Sequence, residues 1–200
     1  MSLISRVQNI ALRPKEEWPV IAGETTSVGA LYTGVIVPLA LIGPVCIFLS
    51  ALVFGTRIPL LNVTVHTATG VLLGTMIVSY VLSLVAAWVT AMIVEKLAPS
   101  FQSSGDFSQA LKLVAYSQAP FWVSGVLNLI PLLGVLSFLV ALYGLYLVYL
   151  GLPPMMKTPQ EKVLPYLLVV IGVLIVLWIV IGFITTLIVG SGAVLRGAGA

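Results

Sequence analysis

Charged residues divide this chain into four long stretches free of Asp, Glu, Lys and Arg: Glu24 to Arg57, Arg57 to Glu95, Lys112 to Lys157 and Lys162 to Arg196. A helix crossing a bilayer needs roughly 20 mostly apolar residues rising about 1.5 Å each. Written as one helix, residues 113–156 would extend about 66 Å, roughly twice the hydrocarbon thickness, so this interval must fold back on itself. The break falls at Asn128-Leu-Ile-Pro131, because Pro131 lacks an N–H and suits the first turn of a new helix. Five spanning helices are predicted, at about 28–54, 67–94, 110–129, 131–152 and 163–189. The fold class is all-α, a polytopic five-helix transmembrane bundle.

The flanking polar segments carry a second pattern. Leu3, Ile4, Val7, Ile10 and Ala11 recur at helical spacing with Ser5, Arg6, Gln8 and Asn9 between them, which predicts a short amphipathic helix within an N-terminal segment 1–27. Trp18 closes that segment as an interfacial anchor at headgroup depth. Asp106-Phe-Ser-Gln109 and Thr158-Pro-Gln-Glu161 read as capping boxes ahead of the third and fifth spans, and Pro153-Pro154 as the stop of the fourth. The Gly/Ala-rich residues 190–200 read as a flexible tail.

Composition sharpens this picture. Charged residues make up 8% of the 200 residues and hydrophobic ones 60%, against roughly a quarter charged in soluble domains, so the chain is an integral membrane protein. Its nine Lys and Arg are scattered over separate polar segments and form no patch, which excludes nucleic acid as a partner. Residues 1–27 hold six charges (Arg6, Arg13, Lys15, Glu16, Glu17 and Glu24) and no uninterrupted apolar core, so no removable signal peptide is expected. Five spans with the N-terminus inside put Arg6, Arg13, Lys15, Lys96, Lys112, Lys157 and Lys162 in the cytoplasm and only Arg57 and Arg196 outside, as the positive-inside rule requires. The C-terminus then lies outside a bacterial inner membrane.

Candidate chemistry is sparse. The single cysteine, Cys46, lies in an apolar run, and His66 stands alone without the two further ligands a catalytic zinc takes. Asn62-Val-Thr64 matches a glycosylation sequon but sits close to the second span. No metal, cofactor or catalytic residue is assigned. No ionisable group is expected near the centre of any span, which argues against an ion-coupled pump. What stands out is Ala115-Tyr-Ser-Gln-Ala-Pro-Phe-Trp122. Pro120 cannot donate to the carbonyl of Tyr116, so a kink is expected, with Tyr116, Ser117 and Gln118 beside it. Tyr143 and Tyr146, on one side of the fourth helix, are placed to hydrogen-bond within the bundle, the freed Tyr116 carbonyl being the expected target. This cluster either glues helices together or lines a polar path.

The order of several short motifs resembles a known family. Pro14-Lys-Glu-Glu-Trp18 with Ile21, the segment from Tyr32 to Pro38, Ala115-Tyr116 followed by Pro120, Asn128-Leu-Ile-Pro131, Tyr143-Gly-Leu-Tyr146, Gly151-Leu-Pro153 and Met156-Lys-Thr-Pro159 together look like the bacterial branch of the Yip (Ypt-interacting protein) family. The resemblance implies five spans and a cytoplasmic N-terminus. Eukaryotic members are associated with Rab-type GTPases, vesicle traffic and organelle shape through a long cytosolic N-terminal region. Here that region is only residues 1–27, a departure from their pattern. The resemblance brings no catalytic residue with it. The expected function is a non-enzymatic membrane-organising or partner-binding module, with the lipid bilayer and a second copy or another membrane protein as partners. The alternative is a passive transporter, channel or lipid-moving protein with a polar path near the kinked third helix.

Overall fold

The computed structural model describes residues 2–58 and 63–197. Two short helices, α1 (Leu3–Leu12) and α2 (Pro14–Gly23), precede the long ones. Pro14 in the first turn of α2, followed by Glu16 and Glu17, is ordinary helix-start chemistry, and Ser2 accepts from the Ser5 N–H at the head of α1. α3 (Val28–Leu31), a π turn (Tyr32–Ile36) and α4 (Val37–Phe54) form one continuous helix. The π turn lies just ahead of Pro38, whose missing N–H makes regular α pairing there impossible. Strands β1 (Thr56–Ile58) and β2 (Val63–Val65) pair antiparallel, with Arg57 opposite Thr64. Residues 59–62 at the hairpin tip, and with them the sequon residue Asn62, lie outside the described residues.

The remaining helices are α5 (Thr69–Leu97), extended by a 3-10 turn to Phe101, α6 (Phe107–Ser124), α7 (Gly134–Met156) and α8 (Gln160–Gly197). Helical backbone thus continues to Gly197, inside the segment expected to be a tail. Among the described residues, four helices are long and apolar enough to cross a membrane: Val28–Phe54, Thr69–Phe101, Gly134–Met156 and Gln160–Thr185. α6 falls outside this set because Gln109, Lys112, Ser117 and Gln118 dilute its apolar content.

Two expectations need correcting. Pro153 and Pro154 do not stop α7, which runs through them to Met156 and ends on Lys157 at φ 51°. Of the two capping boxes, Asp106 does accept from the Gln109 N–H at 2.8 Å, but Thr158 is taken up by Ser103, whose hydroxyl lies 2.9 Å away. The reason is the turn before α6. Ser104 donates its N–H to the carbonyl of Met156 at 2.8 Å, drawing Ser103 onto the α7–α8 junction.

α6 is the centre of the molecule. Nearly all of Ala110–Ala119 is buried, in a core shared with α2, α4, α5, α7 and the first turns of α8. Tyrosines tie neighbouring helices by donating to main-chain carbonyls: Tyr32 to Leu84 at 2.5 Å, Tyr80 to Val37 at 3.0 Å, and Tyr166 to Val94. Beyond the end of α6, Gly125 lets the backbones nearly touch, since a Cβ there would lie 2.6 Å from the Gly43 Cα.

Candidate functional site

α1 and α2 fold against α6 and α7, where they form a buried polar centre. Arg6 of α1 is 7% exposed and pairs with both Glu17 of α2, 6% exposed, and Glu24 just beyond α2. Burial alone would weaken the basicity of Arg6. The hydrogen bonds and charges of Glu24 and then Glu17 outweigh it, leaving the guanidinium above its ordinary value. A guanidinium suits this place because its forked N–H groups can serve two carboxylates at once.

Lys112 of α6 completes the centre. Its ammonium is buried and donates to the carbonyls of Ile21, at 3.3 Å, and of Glu24. The Gln109 side chain donates to Ala22 O at 3.1 Å, and Ser108 to Thr26 O at 3.2 Å. These carbonyls belong to the last turn of α2 and the chain after it, which has exhausted its helical donors and carries the negative end of the helix dipole. A buried lysine is stable there because it caps α2. By formal count, the two basic side chains Arg6 and Lys112 balance the two acidic ones, Glu17 and Glu24. Tyr116, one turn further along α6, lies in the field of Arg6, Glu17 and Glu24.

The residues singled out in the sequence do not converge on one place. Tyr116 is 7% exposed and lies towards the ionic centre. Ser117, 1% exposed, returns its hydroxyl to the Leu113 carbonyl of its own helix. Gln118 lines two mainly apolar cavities between helices, of about 520 and 430 Å3, and Ser117 joins it at the smaller one. Pro120 sits within α6, which continues past it to Ser124. Tyr143 does not reach the Tyr116 carbonyl. It donates to Ala11 O of α1 at 2.8 Å, because α1 occupies the groove that the sequence left empty. Tyr146 is 44% exposed, its ring 5.8 Å from that of Tyr143.

Trp18 is 1% exposed, packed where Gly151 of α7 opens a notch. A Cβ on Gly151 would come within 2.8 Å of Trp18 Cε2 and 2.5 Å of Leu113 Cδ1. The missing side chain at Gly151 is what admits the indole.

The sequence reading passed over Arg6, Glu17, Glu24 and Lys112 as members of a site. A signal was present: Arg6 interrupts the apolar face of α1, and Lys112 is a lone charge between Leu111 and Leu113. His66 is exposed beside the β-hairpin, and no group of three His, Cys, Asp or Glu side chains able to hold a metal occurs among the described residues. The arrangement locks helices together through paired charges and contains no arranged nucleophile and base.

Comparison with known proteins gives one clear relationship. Neither a curated protein nor a solved structure matches the chain significantly. A family model does, that of the Yip1 domain, over residues 9–181, which takes in everything from the second half of α1 to the middle of α8. The chain therefore belongs to the Yip1 domain family of multi-pass membrane proteins.

Proposed function

We propose that the protein is a non-enzymatic five-span module of the bacterial inner membrane, with its N-terminus in the cytoplasm, that organises membrane or binds partners through its N-terminal helical hairpin. The observation that carries this reading is the ionic and aromatic locking of α1 and α2 onto α6 and α7. A segment held this firmly presents a fixed surface, and its outer side leaves Ile4 72%, Leu12 80% and Val20 49% exposed beside Arg13. Exposed apolar side chains with a neighbouring cation suit a protein partner or a lipid surface.

Five crossings are supported by connectivity. The bond from Ser104 to Met156 holds the start of α6 beside the end of α7. α7 is 23 residues long, about 34 Å, and crosses the bilayer. The chain must therefore reach the far side between Ser104 and Gly134, and α6 with its 3-10 extension is the segment that travels there. Its polar residues are tolerable because it is buried among other helices rather than facing lipid. The same hairpin keeps Lys157 and Lys162 on the side of α1 and α2, as the positive-inside rule favours. Tyr116 and Tyr143 lie away from the cavity that Ser117 and Gln118 share, and Ser117 spends its hydroxyl on its own helix, which supports an organising role over a polar path.

The test is extraction of the tagged protein into native lipid discs, with identification of proteins that copurify in stoichiometric amount. A reproducible partner is expected, and Leu12→Asp, at an exposed position, should abolish its recovery while leaving the yield of folded protein unchanged. Equal recovery with Leu12→Asp, or turnover of a substrate by the purified protein, would sink this reading.

A further inference from the structure

The two cavities between the helices meet at one place, where Thr90, Gln118, Phe121, Leu174 and Trp178 line both. The larger, of about 520 Å3, follows a single stripe of α5 from Val71 through Thr75, Ser79 and Ser83 to Thr90, with α4, α6 and α8 as its other walls. That stripe rises about 28 Å. Spread over such a length, the volume leaves a cross-section on the order of 20 Å2, room for one extended hydrocarbon chain, whereas a helix about 10 Å wide needs about 80 Å2. The shape excludes a helix of a second copy or of another protein and fits the chain of a lipid.

Its polar lining singles out Gln118. The hydroxyls of Thr75, Ser79, Ser83 and Thr90 each return to a carbonyl of their own helix within 3.1 Å, and Asn128 donates to the Gly125 carbonyl. The carboxamide of Gln118, a half-buried residue, has no hydrogen-bond partner among the described residues. Leu174, on the same stretch of wall, lies near the middle of the crossing helix Gln160–Thr185. At that depth no bulk water serves an amide, and two N–H donors and a carbonyl oxygen are costly to leave bare. Among the described residues no Asp, Glu, Lys, Arg or His lines either cavity, so a charged ligand group would go unpaired there. A hydroxyl fits instead. It can donate to Gln118 Oε1 or accept from Nε2, and Thr90 Oγ1, whose proton is spent on Ala86 O, keeps lone pairs to accept from it. The chain of a phospholipid is bare hydrocarbon at this depth and offers Gln118 nothing.

We propose that this slot binds a long-chain alcohol, its chain lying along α5 and its hydroxyl hydrogen-bonded to Gln118. The apolar walls make it a berth for a chain and not a path for a polar solute. The inference goes beyond the partner-binding reading and uses different residues, so either can fail without the other. It is tested by native mass spectrometry of the full chain with 1-hexadecanol, hexadecane or phosphatidylglycerol. The parent should retain one 1-hexadecanol and about tenfold less hexadecane, the difference made by one hydrogen-bonded group. Gln118→Leu keeps the bulk and removes the carboxamide, so retention of the alcohol should fall to that of the hydrocarbon. Its unfolding temperature without ligand should stay at or above the parent's, since no paired group is lost. Ala86→Phe, one turn from Thr90 on the wall of the slot, should lower retention of both single-chain probes. Equal retention of alcohol and hydrocarbon by the parent, unchanged alcohol binding in Gln118→Leu, or a lowered unfolding temperature in that variant would overturn the proposal. Retention of phosphatidylglycerol in preference to the alcohol would assign the slot to ordinary membrane lipid and overturn it as well.

Discussion

Glu17→Ala should destabilise the protein by about 3–5 kcal/mol, because it strands most of the Arg6 charge in a site that is 7% exposed. Breaking one member of a buried pair costs far more than the pair contributes, since the remaining ion has lost its water and its counter-charge together. Glu24 cannot compensate fully, as its side chain is 40% exposed and spends part of its interaction on solvent. The control is Arg6→Met with Glu17→Leu, which removes both charges and keeps the volume. The double variant should be more stable than Glu17→Ala alone. Chemical unfolding in lipid discs measures the comparison, and repeating it at high salt should change the Glu17→Ala penalty little, because buried charges are weakly screened. A penalty below about 1 kcal/mol, as for an exposed pair, would mean that α1 and α2 are not docked as described.

The second large effect is expected at Trp18. Truncating a fully buried tryptophan costs about 3–5 kcal/mol, and Trp18→Ala empties the notch that Gly151 creates. Trp18→Phe should cost clearly less, because the indole N–H it deletes has no partner to lose among the described residues. Gly151→Leu approaches the same contact from α7 by filling the notch, and the indole must leave. Each loss should show as faster tryptic cleavage after Lys15, which is exposed, since cleavage of a docked segment follows the population of its open form. Equal cleavage rates in the parent, Trp18→Ala and Gly151→Leu would contradict the docking.

The long helices were legible because apolar runs bounded by charges follow from bilayer thickness alone, and Pro131 marked the turn between α6 and α7 within a few residues. The interior of the site was less so. A charged side chain in sequence reads first as a loop marker, and nothing local distinguishes Lys112 at the edge of a span from Lys112 capping another helix. Its role exists only once α2 is folded against α6. Tyr143 fails to reach the expected carbonyl for the same reason, its partner Ala11 being 132 residues away. Thr158 and Glu161 had the spacing of a capping box, but tertiary contact with Ser103 outcompeted the local bond. Pro153 and Pro154 did not end α7 because packing of Gly151, Leu152, Met155 and Met156 into the core outweighs the helical bonds the prolines forfeit. The β-hairpin after α4 had β-branched residues in Thr56-Arg-Ile58 and Val63-Thr-Val65, too short a pattern to separate from a loop.

The central claim is that the N-terminal hairpin is part of the folded membrane domain and not a free tail. Hydrogen–deuterium exchange on the full chain in lipid discs tests it most directly, because amide protection reports local opening. The account predicts that the amides of α2 and of the second half of α1 exchange as slowly as those of Ala110–Ala119 in α6, and that Glu17→Ala accelerates the first set without the second. Exchange of α1 and α2 within seconds in the parent chain would contradict it.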